Sequence, residues 1–187
     1  MRLNEICEQW AILPLSNQRK MQEHLMVDGN NALHAIPSLA KELATDRNQA
    51  RDSLLRLLEP LATGDHCVLT VVFDGRGGRS SLSKHANMKN YTVIHSSSSQ
   101  GADGVIERML MASKSPERIV VATNDGLIRN CAYECGAAAM RVEDLVSQLD
   151  QTIDRNANRI RNRGSGNKKQ SLSFENKIPF PKNKPGK

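Results

Sequence analysis

Apolar positions along this chain fall in short unbroken runs, separated by segments in which they recur with helical period. The first run, residues 24–28 (HLMVD), stops at Asp28-Gly29, and Asn30 and Asn31 follow as turn or cap residues. The run 67–73, CVLTVVF, is rich in β-branched residues and almost wholly apolar, the pattern of a central strand buried on both faces. It stops at Asp74-Gly75. A shorter strand is predicted over 91–94, another buried strand over 118–122 and a last one over 137–140. Helical period fills the intervals. A short helix is predicted over 37–43. A longer one runs from Asp46 as N-cap through 61, with Ala50, Leu54, Leu57, Leu58 and Leu61 on one stripe. A third begins near Ala102 and turns Val105, Ile106, Met109 and Leu110 inward. A fourth covers 127–135 and ends at Gly136. A final helix starts around Val142 and reaches at least Leu149.

Strands alternating with helices predict an α/β fold, a three-layer α/β/α sandwich around a mainly parallel sheet of about five strands. Three regions follow: an N-terminal extension, 1–23; a folded domain, 24–150; and a tail, 151–187. In the extension Leu3, Ile6, Cys7, Trp10 and Leu13 fit one face of a short helix. After about Arg163 the chain is rich in Gly, Ser, Asn, Lys and Pro without a periodic apolar face, a disordered composition.

Charge adds a second layer. The chain carries +6 overall, but residues 151–187 hold ten Lys/Arg against Asp154 and Glu175. The rest has 16 basic and 18 acidic residues, so a slightly acidic domain bears a strongly basic tail. Such asymmetry points to a polyanion, most often a nucleic acid. Aromatics are 3 %, so the core must be aliphatic. Cys7, Cys67, Cys131 and Cys135 form no CxxC pair and read as small buried hydrophobes in a reducing compartment. The five histidines have no ligand spacing. No signal-peptide pattern and no apolar run near ~20 residues is present, so a soluble cytoplasmic protein without membrane contact is expected.

The candidate chemistry lies in four acidic stops: Asp28 in LMVDGNN, Asp74 in VVFDGRG, Asp103 in SQGADGV and Asp125 in VVATNDG. Three end predicted strands, and Asp103 opens a predicted helix. In a parallel sheet the strand carboxyl ends share one edge, where ligands bind. Carboxylates gathered there repel one another unless a cation holds them, and an all-oxygen site suits Mg²⁺ or Mn²⁺. Each Asp alone is more simply a turn or cap residue. The set of four, on one edge, favours a shared site. No P-loop, GxGxxG or GxSxG motif competes with it.

The segments LMVDGNNALH, QARDSLLRLL, VVFDG, GADGVIERML and VVATNDGLIRNCAYECGA together resemble the NYN family of PIN-like ribonucleases, in particular its YacP-like branch of ribosome-associated mRNA endonucleases. The resemblance spans residues 25–149 and rests on order and spacing. It implies a PIN-like sandwich with an acidic cluster around a divalent metal, formed here by Asp28, Asp74, Asp103 and Asp125. Asn31 matches the Asn of the first motif, and Asn124 adjoins the last Asp. Asn30 stands where the family often has Tyr.

The implied reaction is in-line attack of a water on phosphorus, leaving a 5′-phosphate and a 3′-hydroxyl. Asp28 and Asp125 are expected as main metal ligands, Asp103 as a further ligand or water-orienting group, and Asp74 as a weaker candidate. Asn31 and Asn124 would orient carboxylates or bind phosphate. Arg76, Arg79, Lys84 and Lys89, in the loop after the second strand, are candidate RNA-backbone contacts at the active edge. The tail, with Lys168 and Lys169, would add salt-sensitive affinity. Two other classes stay open: a non-catalytic RNA- or ribosome-binding PIN-like module, and a small-molecule phosphohydrolase, against which the missing second Asp after Asp28 and the basic tail both count.

Overall fold

The structure is a computed structural model that describes residues 23–63 and 67–166. Its elements run β1 (Glu23–Asp28), α1 (Gly29–Ala35), α2 (Pro37–Thr45), α3 (Arg47–Ala62), β2 (Cys67–Phe73), β3 (Ser81–Lys84), β4 (Tyr91–His95), α4 (Gly101–Ala112), β5 (Ile119–Ala122), α5 (Gly126–Glu134), β6 (Ala138–Met140) and α6 (Val142–Gly166). The six strands lie in the order β3-β4-β2-β1-β5-β6. All pairings are parallel except β3 with β4.

The period-two pattern of the strands sorts side chains into two cores. Leu25, Val27, Leu69, Val71 and Phe73 pack with Leu33, Leu54, Leu58, Val142 and Leu145 from α1, α3 and α6. On the other face Met26, Val72, Ile94 and Val121 meet Val105, Ile106, Leu110 and Ile128 from α4 and α5. Helices thus cover both sides of a sheet whose central strands bury apolar side chains on both faces, as the three-layer expectation requires.

Two elements escaped the sequence pattern. Helix α1 begins directly at Gly29, where a turn was expected, because Asp28 caps it by accepting the Asn31 N–H at 3.0 Å. Strand β3, the sixth, reads SLSK and is mostly exposed, with no apolar run to betray it. It is an edge strand folded back on β4, with Ser81 opposite His95 and Lys84 opposite Thr92. The expected cap at Asp46 is present, its carboxylate accepting from Asn48 N and Gln49 N at 2.7 and 3.1 Å. The expected N-terminal helix face and the cations Lys168 and Lys169 lie outside the described residues.

Gly29 is required by close approach. A Cβ there would overlap the Phe73 ring and come 2.9 Å from the Val72 carbonyl oxygen. Gly29→Ala should therefore cost about 1–3 kcal/mol. Gly78, which has open space around it, should accept alanine within about 0.5 kcal/mol. Chemical denaturation of the two variants checks this; equal midpoints would contradict the packing at Gly29.

Candidate active site

Strand order places the site. The connection from β1 leads to β2 on one side, and that from β5 leads to β6 on the other, while β1 and β5 pair directly. Their carboxyl ends form the switch point at which open parallel sheets bind ligands. Asp28 is the last residue of β1, and Thr123, Asn124 and Asp125 follow β5.

Asp28 is 4 % exposed. One of its oxygens accepts the Asn31 N–H at 3.0 Å and the other the Thr123 hydroxyl at 3.1 Å. Thr123 Oγ1 in turn accepts the Asp125 N–H at 3.1 Å, so one buried hydroxyl links the two strand ends. Asp125 caps α5 by accepting Leu127 N at 2.7 Å. Asn31 Oδ1 accepts Asn124 N at 2.9 Å, fastening the start of α1 to the loop after β5.

Asp74 follows β2. Its carboxylate accepts Ala102 N at 2.7 Å, at the start of α4, and the side-chain amide of Asn30. Asn30 Oδ1 remains buried without a hydrogen-bond partner among the described residues. Asp103 lies in the first turn of α4 and is exposed.

Asp28 and Asp103 both respond to neighbouring carboxylates. Burial holds the Asp28 carboxyl above the usual aspartate range. Its two hydrogen bonds pull it back, and the charges of Asp103 and Asp74 push it further up. Asp103 is raised by desolvation first and then by Asp125, Asp74 and Glu107. Glu107, one turn along α4, is a fifth acid that the sequence reading passed over; its i, i+4 spacing from Asp103 was the available signal. Thr123, a polar residue at the end of an apolar run, and Asn30 were missed in the same way. Among the described residues no three His, Cys, Asp or Glu side chains are arranged as a ready-made metal cage.

The remaining predicted residues divide. Asn124 lies beside the cluster, but its side chain accepts Val142 N at 3.0 Å and donates to Glu143 at 2.9 Å, which fastens the start of α6. Arg76 and Arg79 lie at the carboxyl edge. Lys84 and Lys89 do not, which corrects their placement: β3 carries the chain to the opposite edge before β4 begins. There Lys84 donates to Lys89 O at 2.8 Å and to Thr92 Oγ1 at 2.7 Å. His85 is on that far edge too, 2.8 Å from Glu59 and packed on the Tyr91 ring.

A model of the YacP-like NYN domain family matches residues 25–179. The chain belongs to the YacP-like NYN domain family. Two solved structures of Rae1 (YacP) from Bacillus subtilis resemble this YacP-like chain. One is 27 % identical, covers 78 % of this chain and 83 % of the other, and superposes with a TM-score of 0.63. The second, a tryptophan-to-leucine mutant of that protein, is 26 % identical over 76 % and 84 %, with a TM-score of 0.62. No curated protein matches. The YacP-like domain is thus a PIN-like nuclease module, and its sheet has the architecture expected of one.

The raised Asp28 fixes a sign. Between the ordinary aspartate pKa and the raised one, the native state holds a proton that the unfolded chain has released. Asp28 therefore withdraws metal-free stability as pH rises through that window. Asp28→Asn should melt higher than wild type in EDTA at neutral pH, by about 2–4 °C for each kcal/mol regained, and the gap should close toward acid pH. Thermal melts of both proteins across about pH 4 to 8 check this; a variant that melts lower at neutral pH would count against a strained carboxylate.

Proposed function

We propose that this chain is a divalent-metal-dependent endoribonuclease that hydrolyses RNA phosphodiester bonds. The family resemblance adds mRNA on a ribosome as the setting, in the cytoplasm. The observation that carries the reading is Asp28: a buried carboxylate at the sheet's switch point, held by two hydrogen bonds and facing further acids. A carboxylate that served only to cap α1 would gain nothing from the nearby charges of Asp103 and Asp74, which add to the upward push of burial.

The donor set is all oxygen and anionic, which suits Mg²⁺ or Mn²⁺. Mg²⁺ commonly keeps several waters and is held by one or two carboxylates plus substrate phosphate. When bound, such an ion would neutralise a phosphate oxygen and acidify a water. Asp28, whose oxygens each accept one hydrogen bond and keep further lone pairs, is the principal holder, with Asp125 beside it. Asp103 has the raised basicity of a group that orients water or takes its proton. Asp74, already bonded to Ala102 N and Asn30, positions α4 and the first loop against each other.

Purified protein should cleave single-stranded RNA in Mg²⁺ or Mn²⁺ and not in EDTA. Asp28→Asn and Asp125→Asn should each lower the rate about 10²-fold or more, the scale of losing a charge-stabilising group, while RNA binding persists. Release of phosphate from small phosphomonoesters should be absent. Wild-type cleavage by both variants would refute the acidic site; RNA binding without cleavage, even with ribosomes supplied, would favour the non-catalytic module.

A further inference from the structure

A second concave site adjoins the acidic one, and its charge is opposite. It is a pocket of about 380 Å³ between the start of α3 and the loop after β2, lined among others by Arg47, Arg51, Arg76, Arg79, His95 and Asp46. Four guanidinium groups face one carboxylate. That carboxylate is engaged with Asn48 N and Gln49 N, so it caps α3 and closes the helix end to other ligands. No ion pair involves any of the four arginines among the described residues.

Arg47, Arg76 and Arg79 are exposed, but the wall behind them is held in place by buried contacts. Arg51 lies over the Phe73 ring at 5.1 Å and donates to the Asp74 carbonyl at 2.7 Å, with its Nε buried and unpartnered among the described residues. Arg47, Arg51 and Arg76 all line the same space, and burial first, then the charges of the other two, weaken the hold of Arg51 on its proton. The loop bearing Arg76 and Arg79 is stitched to the loop after β4: Ser98 N donates to Gly77 O at 2.9 Å and Ser97 N to Ser80 Oγ at 3.0 Å. Gly75 permits this contact, since a Cβ there would collide with the Ser96 carbonyl. His95 stacks on Phe73 at 5.6 Å and gives the pocket a flat ring.

Arginines that line one pocket without carboxylate partners suit an anion with several oxygens. Asp74 joins the two sites, its carboxylate in the acidic cluster and its carbonyl on Arg51. We propose that this pocket is a nucleotide subsite of the nuclease. It seats one nucleotide of a single-stranded RNA close to the scissile position, with its phosphate on Arg47, Arg76 and Arg79 and its ribose or base against His95. The volume lies within the ~300–1,000 Å³ usual for small-ligand sites and so exceeds the need of a bare ion. The proposal rests on the ribonuclease reading for its substrate, but its test needs no cleavage.

The test is equilibrium binding of the full chain to a short fluorescent single-stranded RNA in EDTA, across about 50 to 300 mM salt. Arg47 and Arg79 are exposed, so Arg47→Gln and Arg79→Gln should fold normally, as melting will confirm. Each should reduce the log–log salt slope by about 0.7 and the double variant by about 1.4, with binding at low salt weakened about five-fold or more per site. Arg108→Gln, an exposed arginine on α4, should leave both at wild type. Unchanged slopes in the pocket variants, or an equal loss in Arg108→Gln, would overturn the subsite. Reduced slopes in a protein that never cleaves RNA would keep the subsite and remove the nuclease reading.

Discussion

A carboxylate buried at the end of a central strand, among other carboxylates, is the constraint around which this domain is arranged. Moving a charge out of water is costly unless hydrogen bonds or counter-charges replace the solvent. Asp28 receives two such bonds, from elements far apart in sequence: Asn31 N in α1 and the Thr123 hydroxyl after β5. Satisfying it therefore fixes the entry of α1, the end of β5 and, through Thr123 Oγ1, the backbone of Asp125. Geometry and electrostatics come from the same few bonds, and they leave the negative charge only partly compensated.

The neighbouring segment resolves the opposite problem. Asp74 uses its side chain to hold α4 and Asn30, and its carbonyl to hold Arg51. Acid and base are thereby kept apart although one residue touches both. Were Arg51 turned to the Asp74 carboxylate, the acidic cluster would lose charge and the basic pocket would lose a cation. Phe73 prevents this collapse from the other direction, because its ring packs beneath Arg51 and stacks with His95. The close approach of Gly29 to the same ring ties the packing of the core to the spacing of the two sites.

What could be read in the sequence was whatever a local pattern records. Continuous apolar runs announced β2 and β5, the Asp46 cap announced α3, and the order of acidic stops announced a family. Strand β3 was illegible because Leu82 is its one apolar residue, too little to mark a strand, and that single omission moved Lys84 and Lys89 to the wrong edge. Thr123 and Asn30 were illegible for another reason. Their importance lies in partners 95 and 44 residues away, which no window of sequence contains. Arg47 and Arg51 lie off the apolar stripe of α3, and nothing in the sequence pattern singled them out. Only the loop after β2, folded over the start of α3, turns that face into the wall of a pocket.

Two neighbouring asparagines show how little residue type alone decides. Asn124 and Asn31 both belong to motifs that suggested phosphate or carboxylate contacts. Asn124 spends its side chain on Val142 N and Glu143, so its contribution is to seat α6 on the domain. Asn31 donates its backbone N–H to Asp28 and accepts the Asn124 N–H on its side-chain oxygen, so it braces the acidic edge from both sides. Removing the Asn31 side chain would loosen the loop that carries Asp125 without deleting any charge. The edge would then keep its acidity and lose its spacing, and under the metal-dependent reading proposed above it is spacing that would convert repulsion into binding.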